Sequence, residues 1–188
     1  MDALEMDALE TASASTDIAL DTVSVWRNVD AGLSDELVEL WRRSQAIPDP
    51  RRAAERAREA VCVARDRSGR ICAVGTAVIR VLPRLRQPMY YYRQFFAPEV
   101  RGHKQAVPFY NTACGILAAY NAALPERESI GVLLELENQQ LAAHYSRAYE
   151  PAANSTFIGY SPRGLQLRAT YFRDARLLRW RLMRGAPD

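Results

Sequence analysis

Two stretches of the chain set ligand-holding or reactive residue types at informative intervals. The first is Phe96-Ala-Pro-Glu-Val-Arg-Gly-His-Lys-Gln-Ala106, where an aromatic run stops, the chain turns and a helical pattern begins. A helix starting there offers unpaired backbone N–H groups and the positive end of its dipole, a setting that favours phosphate. Small residues let the backbone approach such an anion closely. Lys104, the only lysine, has two readings: its ammonium supplements the backbone donors as a point charge, or its side chain crowds the approach. The second stretch runs from Val132 to Tyr145. Alternation puts Leu133, Glu135 and Glu137 on one strand face and Val132, Leu134 and Leu136 on the other. Two carboxylates on one face of a central strand are costly unless solvated or paired. Arg93 on the neighbouring strand is a cross-strand partner, the reading preferred for Glu135. Asn138 suits the N-cap of a following helix that carries Tyr145.

Other chemistries find less support. His103 and His144 are the only histidines, and no carboxylate spacing around them matches a metal site. Neither lies near a serine or cysteine in a nucleophile motif. His103 falls in the phosphate loop, and His144 reads as a helix-surface residue. Cys62, Cys72 and Cys114 sit in apolar runs, where reduced cysteines behave as small hydrophobes. The 25 basic and 22 acidic residues leave a charge of +3, too mild to draw nucleic acid but suited to a small polyanion. Arg51–Arg58 is basic, yet Glu55 and Glu59 interrupt it, as on a solvated helix face. No run approaches the ~18 apolar residues of a membrane helix, and the first twenty residues lack an apolar signal core. The expectation is a soluble, cytoplasmic protein without nucleic-acid or membrane partners.

The elements that must position these residues follow from the pattern. MDALE occurs twice at the start, and residues 1–21 read as a flexible arm before a single domain at 22–188. Val23–Arg27 alternates as a strand. Ser34 is a cap for a helix from Asp35 to about Ser44, and Asp49-Pro50 opens a second helix to about Glu59. Val61–Arg65, a turn at Asp66–Gly69, and Ile71–Leu82 form a long hairpin, broken by Pro83–Pro88. Met89–Phe96 is an aromatic strand. Gln105–Ala123 is a helix with Val107, Tyr110, Cys114, Leu117 and Ala118 towards the core. Val132–Leu136 is a strand, Gln139–Ala148 a helix, and Thr156–Tyr160 with Leu165–Phe172 a hairpin around Ser161–Gly164. Trp180–Arg184 either extends this hairpin or trails off. The order β-α-α-β-β-β-α-β-α-β-β predicts an α/β (α+β) fold: one mixed, mostly antiparallel sheet with helices on both faces.

That order, with the loop at 96–106 and Asn138 followed seven residues later by Tyr145, resembles the GNAT-type N-acyltransferases. Their loop is commonly V-x-P-E-x-R-G-x-G-x-A, and their strand–helix unit carries N-x6-Y. The resemblance spans residues 23–172 by element order and 96–149 by motif. Arg101 and Ala106 match the R/Q-x-x-G-x-G/A core of the loop, whereas Lys104 stands where glycine is expected. The Gly-Phe that follows the tyrosine in many members is replaced by Arg147-Ala-Tyr149.

The resemblance implies an N-acyltransferase in which a primary amine attacks acetyl-CoA, or another acyl-CoA, in a ternary complex without a metal. It implies that Tyr145 is the acid that protonates the departing thiolate. The cofactor-binding residues it implies are Phe96, Arg101, Gly102, His103, Lys104, Gln105, Ala106 and Asn138. Glu137, nearest the strand end, is the candidate base, with Glu135 second. The acceptor is expected to be a small molecule or peptide amine held between the first strand and second helix (Ala31–Pro50) and by the last hairpin (Pro151–Gly164). Those segments carry no signature of its identity, and a homodimer is compatible with the reading. Two alternatives stand beside it: a non-catalytic module of this fold with a decayed CoA site, motivated by Lys104, and an N-acyl synthase using longer acyl-CoA or acyl-carrier-protein donors. Arg93, five residues before Pro98, is a pointer to the latter, as in the acyl-homoserine-lactone and N-acyl-amino-acid synthases.

Overall fold

The computed structural model describes residues 20–83, 85–101, 105–138, 142–143 and 145–177. Eight strands form one sheet in the order β1-β2-β3-β4-β5-β8-β7-β6. They are β1 (Asp21–Ser24), β2 (Ala60–Arg65), β3 (Ile71–Leu82), β4 (Gln87–Phe96), β5 (Gly131–Leu136), β6 (Tyr149–Glu150), β7 (Ser155–Tyr160) and β8 (Gln166–Tyr171). Helices α1 (Ala31–Arg43), α2 (Pro50–Ala57) and α3 (Ala106–Ala123) complete the described elements of regular length. Every strand pair is antiparallel except β4–β5. The predicted mixed, mostly antiparallel sheet with flanking helices is therefore present. No described helix is long and apolar enough to cross a membrane.

Local chemistry explains most boundaries. Asp49 accepts from the Arg51 N–H at 3.0 Å, and Pro50 starts α2 as expected. For α1 the cap is Asp30, which accepts from the Leu33 N–H at 2.8 Å. The helix thus begins at Ala31, ahead of the Ser34 start suggested by sequence, because the earlier carboxylate caps first. Leu37, Leu40 and Trp41 form its buried face as expected. The turn between β2 and β3 is held by Asp66, which accepts from the N–H groups of Ser68 and Arg70. Pro88 lies inside β4, paired with Val81, rather than in a break before it. Strand β1 takes in Asp21, a residue assigned by sequence to the arm.

One hydrophobic core fills the space around β2, β3 and β4, and a smaller one lies under β5 and β8. All of β2 from Ala60 to Ala64 is buried, as a strand covered on both faces requires. The start of β5 is fixed by two short-range features. Asn121 of α3 donates to the Ser129 carbonyl and accepts from the N–H groups of Glu128 and Ser129, tying the helix end to the strand. Gly131 then passes so close to the Thr170 carbonyl of β8 that a Cβ would collide with it. These contacts tie the start of β5, the strand that carries Glu135 and leads on to Glu137, to α3 and β8.

Candidate active site

Strands β4 and β5 pair over only three residues: Tyr90 with Val132, Tyr91 with Leu133 and Tyr92 with Leu134. Beyond Tyr92 and Leu134 they part, although β4 stays paired to β3 through Phe96 and β5 to β8 through Leu136. Among the described residues the edge of β4 facing β5 from Arg93 to Phe96 therefore lacks a strand neighbour, leaving backbone groups open to an extended ligand. A cavity of about 350 Å³ occupies the gap. Its wall includes Tyr92, Tyr110 and Val107 on the α3 face, and Trp41, Ile47 and Arg56 on the opposite face. The cavity thus passes through the sheet.

The α3 face is built by long-range hydrogen bonds. Gln94 donates to the Ala106 carbonyl at 3.2 Å, joining β4 to the start of α3. The Tyr92 and Tyr110 rings lie 5.5 Å apart, and the Tyr110 phenol donates to Thr170 Oγ1 at 2.7 Å. Arg168 of β8 is only 1% exposed and is held mainly by neutral acceptors. Its guanidinium donates to the carbonyls of Tyr145, Arg147 and Ala148, to both oxygens of Ser155, and to Gln166 Oε1. A buried cation is tolerated when every donor finds an acceptor. Its Cζ also stands 5.8 Å from the Tyr145 ring centre. In this way Arg168 fixes the segment that carries Tyr145 against the cavity.

That segment differs from expectation. Ala142 and Ala143 are helical, and the Ala142 N–H bonds the Asn138 carbonyl at 2.9 Å. Residues 145–148 leave the helix, and Tyr149–Glu150 pair with β7 as a short strand. The helix predicted to Ala148 stops early, and Arg168 takes up the carbonyls of the extended segment that follows it. Tyr145 is half-buried. Burial, aided by Glu150 and opposed by Arg168, raises its phenol above the usual range, so it stays protonated at neutral pH.

On the other face, Glu135 and Glu137 project together, as the alternation of β5 predicts. Their partner is Arg163, from the turn between β7 and β8, whose Nη2 lies 2.8 Å from each carboxylate. The cross-strand pair expected between Glu135 and Arg93 does not form. Arg93 instead stacks 4.3 Å over the Tyr91 ring, and the Tyr91 phenol donates to Glu135. Burial pushes the Glu135 carboxyl upward, but hydrogen bonds from Arg163, Ser161 and Tyr91 outweigh it and hold the group at about 2. Glu137 is exposed.

Of the residues singled out by sequence, Ala106, Glu137, Asn138 and Tyr145 line this one cavity. Phe96, Arg101 and Gln105 flank it. Phe96 packs on Phe109 with ring centres 5.3 Å apart. Arg101 donates to the Phe96 carbonyl at 3.0 Å and covers the Phe95 ring. Gln105 occupies the N-cap position of α3 without a side-chain capping bond. Gly102, His103, Lys104 and His144, with Trp180–Arg184, lie outside the described residues. Sequence reasoning passed over Arg163 and Arg168. For Arg168 a signal existed: Gln166, Arg168 and Thr170 form a polar alternation within a strand, which marks a face that meets polar groups. Among the described residues no group of three or more His, Cys, Asp or Glu is arranged to hold a metal ion.

The geometry defines a class: one sheet with a single parallel pair that splays around a through-going cavity beside a helix start. Solved structures share the fold. An acetyltransferase of the GNAT family from Streptococcus pneumoniae superposes with a TM-score of 0.55 at 11% identity, covering 81% of this chain and 99% of that one. A GNAT superfamily phosphinothricin acetyltransferase from Sinorhizobium meliloti, solved in complex with acetyl-CoA, gives 0.56 at 14% identity, covering 85% and 93%. No protein-family profile and no curated protein matches the chain. The chain has the GNAT fold.

Proposed function

We propose that this protein is an N-acyltransferase that moves an acyl group, acetyl in the simplest case, from acyl-CoA to a primary amine. The observation that carries the proposal is the cavity through the sheet, where the free edge of β4, the start of α3, Tyr145 and Glu137 meet. The Sinorhizobium meliloti enzyme of the same fold was solved with acetyl-CoA, which supports an acyl-CoA donor. The volume of the cavity suits a small-molecule acceptor.

The chemistry assigned to these residues needs no enzyme nucleophile. The amine attacks the thioester carbonyl, so a C–N bond forms and the C–S bond breaks. Glu137, directly or through water, takes the amine proton. Glu135 is too weak a base at about 2 and serves instead to anchor Arg163. Tyr145, kept protonated by burial, gives its proton to the departing thiolate. Holding both reactants in one cavity supplies orientation.

The test is thiol release from acetyl-CoA by the purified full-length protein, with and without a pool of primary amines. Amine-dependent release is expected. Absence of release with acetyl-, butyryl- and longer acyl-CoA would remove the reading and leave a non-catalytic module.

A further inference from the structure

A second cavity, of about 560 Å³, lies on the β4–β5–β8 face away from α3. Arg93 and Glu135 line both cavities, so the two meet where β4 and β5 part. Around this junction the charges are divided unevenly. Towards the β7–β8 turn, one cation, Arg163, is shared by two carboxylates, Glu135 and Glu137. Towards β3 and α2 the balance reverses. Glu59 pairs with Arg56 at 3.0 Å, and Arg93 and Arg80 also act on it, three cations against Glu59 and its neighbour Glu55. Among the described residues, neither Arg80 nor Arg93 has a carboxylate within 4.0 Å. Arg93 also has its Cζ 4.3 Å from the Tyr91 ring centre, a cation–π contact that restrains its guanidinium beside the cavity.

A site with surplus negative charge at one end and surplus positive charge at the other is matched to a ligand of opposite polarity along its length. From this division we infer that the acceptor is an acid-bearing amine of the amino-acid kind, its nitrogen towards Glu137 and its acid group bound by Arg93, with Arg80 adding to the positive field from the second cavity. This inference rests on the acyltransferase reading and names the acceptor class for it. The transfer remains balanced: the amine nitrogen gains the acyl carbon and loses a proton to Glu137, and the sulfur leaves with the Tyr145 proton. The acid group takes no part beyond binding. Uncharged-tail amines would leave Arg93, which lines both cavities, without the ligand's anion, which is the basis of discrimination.

The experiment compares the protein amino acids with their decarboxylated counterparts as acceptors, by thiol release from acetyl-CoA. The acid-bearing member of at least one pair is expected to have a kcat/KM greater by roughly tenfold or more, through a lower KM. Arg93→Met and, at the exposed position, Arg80→Met should each shrink that ratio, and Arg93→Lys should restore part of it. Equal or better turnover of the decarboxylated amines, or a ratio unchanged in both variants, overturns the acid-bearing acceptor and leaves the acyltransferase intact. No transfer to any amine overturns the acyltransferase reading and this inference with it.

Discussion

Arg163 Nη2, in the turn between β7 and β8, lies 2.8 Å from Oε2 of Glu135 on β5. The two residues are 28 positions apart in sequence, joined by the antiparallel pairing of β5 with β8 and the tight turn at Ser161–Gly164. The same guanidinium reaches Glu137, and the Tyr91 phenol closes on Glu135 from β4. One turn residue therefore sets the protonation of a buried-side carboxylate and the placement of the candidate base.

Removing Arg163 has a pH signature. The folded-state value of Glu135 is lowered to about 2 from an ordinary value of 4.5. The unfolded chain thus binds this proton first as pH falls. The stabilisation is complete above the ordinary carboxylate range and is lost as pH drops towards 2. Thermal melts of wild type and Arg163→Ala should differ most above about pH 5, and the gap should close progressively between pH 4.5 and 2. A gap independent of pH would contradict this origin.

Tyr145→Phe removes the proposed acid while keeping the ring beside Arg168. Turnover should fall by about 10²–10⁴-fold with little change in acyl-CoA affinity. Stopped or steady-state thiol release together with calorimetry separates the two. Unchanged turnover takes Tyr145 out of the mechanism.

Arg168→Met keeps much of the volume but strips donors from the carbonyls of Tyr145, Arg147, Ala148 and Ser155. Leaving such acceptors unpaired costs about 2–3 kcal/mol. The melting temperature should fall by roughly 5–10 °C. Proteolysis near residues 145–148 should rise with it. A melt within about a degree of wild type would show that water replaces the guanidinium at little cost.

How far sequence reaches is seen in these same residues. Asp49-Pro50, the Asp66–Gly69 turn and the alternation in β5 are local signals, and each is realised because its chemistry is complete within a few positions. The Asn138–Tyr145 interval likewise brought both residues to one cavity. Arg163 and Arg168 were not legible as site residues, since their roles arise from strands paired across more than twenty positions. The helix expected through Ala148 gives way from Tyr145 onward to an extended segment held by such contacts, the Arg168 guanidinium and the pairing of β6 with β7. Pro88 entered β4 because the pairing of β3 continues past it to Leu82 and Gln87, which outlasts the lost donor.

Lys104→Gly tests the departure in the loop motif. With the lysine acting as a point charge on phosphate, affinity for acetyl-CoA should drop several-fold at low salt, and less at high salt, where screening weakens the charge. A marked gain in affinity would indicate that the side chain obstructs the site.

The central claim is that the cavity between β4 and β5 takes an acyl-CoA. Calorimetric titration of the purified protein with acetyl-, butyryl- and longer acyl-CoA measures it most directly. Saturable one-to-one binding of at least one thioester is predicted; the absence of binding across the whole set would contradict the account.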